Sequence, residues 1–195
     1  MNFLAHIFLS GENKKITVGN FIGDFVKGSK INDFDTDIKL GIQLHRAIDH
    51  FTDTHPVVRE SKLKLRPEFR HYSPVIADVF YDHFLAKDWS AYSKIPLIEY
   101  TQNFYQMIET FKTTIPSAAN HMIGYMQRDN WLYHYHLIEG INRALTGMAR
   151  RTSFESKMEH ASKNLEANFD EYQDEFRRFF PDLQAHCAEF LSDNT

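Results

Sequence analysis

The 195-residue chain has a single cysteine, Cys187, so no disulfide can form within it. That scarcity fits a reducing compartment and leads us to expect a cytoplasmic protein. No run approaches about 18 uncharged apolar residues, which excludes a membrane-spanning helix and predicts no membrane partner. Positive charge is not in excess either. The 22 Lys and Arg against 26 Asp and Glu leave a net charge of −4, which argues against a nucleic-acid partner. Val occurs only 6 times and no stretch alternates convincingly with period two, so strands are not expected. Met1 to Ser10 is apolar but lacks a basic leader and a small-residue cleavage site, and it reads as a first helix. With 8 Gly, 6 Pro and no low-complexity tract, nothing marks a linker, and residues 1–195 are expected to form one domain.

What remains is helical periodicity. The pattern predicts an all-α multi-helix bundle with helices near 2–10, 17–27, 36–54, 56–65, 74–89, 96–113, 117–127, 130–148, 154–166 and 168–191. Gly28 is placed to end the second helix. Pro56, Pro74 and Pro96 sit where first turns tolerate proline, and Pro181 is expected to end or kink the last helix.

Several polar residues fall on apolar faces. At about 100° per residue, Asp82 shares the strip of Val75, Val79 and Ala86, with Asp78 at one edge and His83 between Val79 and Ile76. Tyr81, Phe84 and Leu85 cover the opposite face, so this helix should be central and buried. On the helix near 36–54, His45 and Asp49 lie side by side along one border of the Leu40, Leu44, Ile48 and Phe51 stripe. Gly41 and Thr52 lie on that border too and leave room above the pair. His6 is embedded among Phe3, Leu4, Ile7, Phe8 and Leu9. Asp24 shares a face with Asn20 and Phe21, while Gly19 and Gly23 permit close helix approach.

His6, Asp24, His45, Asp49, Asp78, Asp82 and His83 thus come from four helices and include four carboxylates. Buried together they would need cations. The chain has 11 His against one Cys, so imidazole and carboxylate rather than thiolate would hold a divalent ion. The Asp-rich balance favours Mn²⁺, with Fe²⁺, Zn²⁺ or Mg²⁺ as alternatives. Each residue also has an ordinary explanation: a surface i,i+4 pair for His45 and Asp49, a bonded core histidine for His6, a basic neighbour for Asp24.

The same residues carry a resemblance. Met1-Asn2-Phe3-Leu4-Ala5-His6 is followed by Gly19-Asn20, Asp24-Phe25-Val26 and Gly28. Gly41-Ile42, His45-Arg46, Ile48-Asp49 and Thr52-Asp53 come next. Then come Asp78, Asp82-His83-Phe84-Leu85, Trp89, Trp131-Leu132 and Gly147-Met148-Ala149 with Arg150-Arg151. Over this span the chain resembles the acyl carrier protein phosphodiesterases. That resemblance implies an HD-domain-like helical metal phosphohydrolase that removes 4′-phosphopantetheine from holo acyl carrier protein with Mn²⁺. The chain departs from the HD pattern in one respect: it contains no His-Asp dipeptide, and its adjacent pairs run Asp49-His50 and Asp82-His83.

The ligands expected on this reading are His6, Asp24, His45, Asp78 and Asp82, with Asp49 and His83 orienting water or moving protons. Arg46, Arg150 and Arg151, together with Asn20, are expected at the phosphate. Arg150 and Arg151 would serve equally well as caps of a helix C-terminus. Residues 57–72 carry Arg59, Lys62, Lys64, Arg66 and Arg70 against Glu60 and Glu68, a net +3 suited to docking an acidic carrier protein. A solvated helix face explains the same run. Two other readings stay open: an HD-like hydrolase of a small nucleotide or other phosphoester, and a non-catalytic metal-binding helical module.

Overall fold

The computed structural model describes residues 1–194, and Thr195 of the expected domain lies outside the described residues. Eleven α-helices and no strand occur among them. They are α1 Phe3–Phe8, α2 Lys14–Ile22, α3 Thr36–Thr54, α4 Pro56–Phe69, α5 Ser73–Lys87 and α6 Leu97–Glu109. Then follow α7 Ser117–Arg128, α8 Trp131–His134, α9 Ile138–Ala149, α10 Ala161–Ala167 and α11 Phe169–Asn194. The starts follow local chemistry. Asn13 accepts hydrogen bonds from Lys15 N and Ile16 N, Asp35 accepts from Ile38 N, and Pro56 opens α4.

As its all-round apolar character requires, α5 is central, and it packs against α1, α4, α9 and α11. Val75 departs from that pattern: it is exposed. The most extensive helix pairing is α2 on α3. Gly19 faces the backbone of Ile38 and Gly41, and Gly41 faces the backbone of Ile16 and Asn20. A Cβ at either glycine would overlap a carbonyl oxygen, so only glycine permits this crossing. Gly41 therefore serves helix contact and leaves no space above His45.

Other boundaries move. α2 ends at Ile22, before Gly28, and Gly23–Phe25 and Gly28–Asp33 are separate 3₁₀ turns. α4 continues past 65 to Phe69 with Pro67 inside it, because Leu65 and Phe69 are both buried. The segment expected at 130–148 is two helices, and 154–166 is helical only from a 3₁₀ turn at Met158–His160. Pro181 does not end α11. The buried Phe179, Phe180, Leu183 and Cys187 keep the helix packed across it.

Candidate metal centre

His6 on α1 and His45 on α3 stack with ring centroids 4.1 Å apart. Asn20, fully buried on α2, orients both rings. Its amide nitrogen donates to the His6 carbonyl at 2.7 Å and to Ser10 Oγ at 2.9 Å. That fixes Oδ1 as the acceptor facing His6 Nδ1, 2.8 Å away. The Asn20 backbone carbonyl accepts from His45 Nδ1 at 2.7 Å. Both Nδ1 atoms are thus donors, and both Nε2 atoms are free for another partner.

Asp49 is where they point. Its Oδ1 is 3.3 Å from His6 Nε2 and its Oδ2 is 3.1 Å from His45 Nε2. Asp24 Oδ1 reaches His45 Nε2 at 3.3 Å from the solvent side. His6, His45 and Asp49 offer ligand atoms that all lie within 4.8 Å of one another. The ring of His45 sits directly on Gly23, where a Cβ would overlap it.

The protonation pattern is asymmetric. For His45, burial opposes charge, but Asp24 and Asp49 outweigh it and carry the ring up to about 9. Burial lowers the His6 pKa, with the His45 charge adding to it. Burial would raise Asp49, yet hydrogen bonds to His45 and His6 hold it far below the usual carboxylate range. Asp24 is lowered mainly by its hydrogen bond with His45. A neutral His6 whose Nδ1 carries the proton turns a lone pair towards two oxygens, Asp49 Oδ1 and, at 3.3 Å, the Met1 carbonyl. Such a contact is repulsive without a cation, so this donor set fits a divalent ion.

These residues border a cleft of about 290 Å³ lined by Asp24, Asp49, Asp53 and Asp78, with Thr52, His71 and Val75. Asp78 Oδ1 lies 3.1 Å from the Met1 amino group. The Thr52 hydroxyl is buried without a hydrogen-bond partner. Sequence pattern marks Thr52 only as leaving room beside His45 and Asp49, and it gives Asp53 and His71 no role. The positions of Thr52 and Asp53, three and four residues beyond Asp49 on the same helix, were the available signal.

Other expected site residues lie elsewhere. Asp82 is fully buried and accepts from Asn2 N, Leu4 N and Ala5 N at 3.1, 2.7 and 3.3 Å. It satisfies the free N–H groups that begin α1 and does not join the imidazoles. Burial pushes its carboxyl up to about 7, although the Met1 ammonium and these N–H groups favour its charge. His83 donates from Nδ1 to the Tyr135 carbonyl at 2.7 Å, and burial lowers it to about 4. It does not line the cleft. Asn20, with no exposed surface, touches the two histidines rather than a substrate. Arg46 is exposed and donates to the Val26 carbonyl at 3.3 Å. Arg151 donates to the Gly147 carbonyl at the end of α9, and Arg150 lines a different hollow with Phe154 and Glu159.

The basic run divides. Arg59, Lys62, Arg66 and Arg70 line one groove of about 590 Å³ with the exposed Leu63. Lys64 faces away, paired with Glu175 at 2.7 Å and Glu171 at 3.1 Å and lying over the Tyr172 ring.

Residues 1–183 match the family model described as acyl carrier protein phosphodiesterase. The chain belongs to that family. A protein named acyl carrier protein phosphodiesterase from Enterobacter sp. (strain 638) is 33% identical over 188 residues, covering 96% of this chain and 97% of that one. One of the same name from Escherichia coli is 33% identical over 189 residues, covering 96% and 98%. No solved structure matches the chain.

Proposed function

We propose that this protein is a metal-dependent phosphodiesterase that hydrolyses the bond between the carrier serine and 4′-phosphopantetheine, returning apo acyl carrier protein. Family membership supports the reaction, and the observation that carries the metal requirement is the pair of Nε2 atoms turned on one carboxylate. His6, His45 and Asp49 would hold the ion, with Asp24 closing the set. Mn²⁺ suits their mixed nitrogen and oxygen donors. The ion would polarise the phosphoryl group and make water acidic enough to attack at neutral pH. Asn20 keeps both imidazoles in the ligating tautomer. Asp78 and Asp53 lie in the same cleft and can accept the proton that the attacking water releases.

The groove along α4 would seat the carrier. Four cations line it and no acid does, so it complements an acidic protein surface, while Leu63 offers an apolar anchor. It adjoins the cleft, since His71 and Pro74 line both hollows. A small nucleotide would leave this groove unused, which favours a protein substrate.

Mass spectrometry of holo carrier protein after incubation with the purified protein tests the reading. Loss of the prosthetic-group mass with Mn²⁺ and its retention with chelator are expected. An intact holo carrier in both samples would refute it.

A further inference from the structure

Two hollows meet at the turn between α4 and α5. One is the cleft of imidazoles and carboxylates, and the other is the basic groove. His71 and Pro74 are the residues common to both walls, and His71 alone of the two can carry a proton. The turn holds His71 in place. Arg70 has φ 51° and ψ −121°, a strained conformation for a residue with a side chain. Ser73 Oγ donates to the Arg70 carbonyl at 2.7 Å, and the buried Phe69 anchors the preceding helix.

On the proposed reading, the scissile phosphodiester spans that same boundary. Its prosthetic group enters the cleft and its serine belongs to the protein on the groove. The oxygen that departs must therefore lie at the shared rim. We infer that His71 is the general acid that protonates the leaving serine oxygen. Water adds to phosphorus and the bond from phosphorus to serine Oγ breaks. Oγ takes the bond's electron pair and the His71 proton, and the proton lost by the attacking water passes to a cleft carboxylate and then to solvent. His71 regains its proton from solvent, which its exposure permits.

Competing donors are engaged. Asp53 pairs with Lys62 at 2.7 Å, Asp78 faces the Met1 amino group, and Asp24 and Asp49 face the imidazoles. His71 has no hydrogen-bond or ion-pair partner among the described residues, and its one ring contact is with Tyr72 at 4.0 Å.

The inference rests on the carrier reading, and the test separates the two. Full-length wild type and His71→Gln are compared with Mn²⁺ on holo carrier protein and on the p-nitrophenyl ester of 4′-phosphopantetheine, whose leaving group departs without a proton. His71→Gln should lower kcat on the carrier by about 10²–10⁴-fold, with KM within roughly threefold of wild type. It should lower turnover of the aryl ester by less than about tenfold and leave Mn²⁺ affinity, read by electron paramagnetic resonance, unchanged. Equal losses on both substrates, a change confined to KM, or lost Mn²⁺ affinity would overturn the assignment. If wild type cleaves the aryl ester poorly, the split between kcat and KM on the carrier decides alone. Wild type inactive on the carrier would instead refute the function proposed above.

Discussion

Asn20 holds His6 through its side-chain oxygen at 2.8 Å and His45 through its backbone oxygen at 2.7 Å, so one residue sets the tautomer of both imidazoles. Its own orientation is fixed in turn by donation to the His6 carbonyl and Ser10.

Asn20→Ala should therefore weaken Mn²⁺ binding by about 10–100-fold although Asn20 is no ligand. A titration of free Mn²⁺ by electron paramagnetic resonance measures this on the folded protein. Affinity equal to wild type would show that the imidazoles need no such support.

The basic residues of α4 should respond in opposite ways. Arg59→Glu with Arg66→Glu cancels the charge of the four groove cations, and KM for the carrier should rise steeply and lose its salt dependence while stability hardly moves. Lys64→Ala leaves the nearly buried Glu175 carboxylate with only the Ser61 hydroxyl. That change should cost about 3 kcal/mol of stability and leave KM alone. Urea unfolding and steady-state kinetics on the same variants separate the effects.

Asp82, with its raised carboxyl, favours the folded state as pH falls, and His83 should work against it in mild acid. The folded pKa of His83 is lowered to about 4, against 6.5 for the free side chain, so the unfolded chain takes up a proton first as pH drops. The His83 contribution is therefore a loss of stability from pH 6.5 down towards 4, on the order of 3 kcal/mol. His83→Asn keeps a donor for the Tyr135 carbonyl and should remove that loss, so that the variant gains on wild type as pH falls. Parallel urea midpoints for the two proteins at pH 7 and pH 4 would dispose of the idea.

Much of this was legible in the sequence, and the failures have physical reasons. The apolar circumference of α5 announced a buried central helix. His6, His45 and Asp49 stood out as polar residues among apolar neighbours, and the structure gathers them. Asp82 carried the same signature but meets the start of α1, because periodicity reports which face is buried and never what lies across from it. Lys62 and Lys64 were read as one patch, although two positions along a helix differ by about 200°. His71 gave no signal. Its significance comes from a turn that joins two hollows built by residues far apart in the chain.

Gly19 and Gly41 bring main chain against main chain, so no cushion of side chains separates α2 from α3. Ordinary core drift, in which a leucine becomes a methionine and its neighbours creep to fit, has nothing to act upon at that seam. The placement of His45 against the Asn20 carbonyl is accordingly inherited from peptide geometry, and it can stay in register while the basic groove along α4 changes freely.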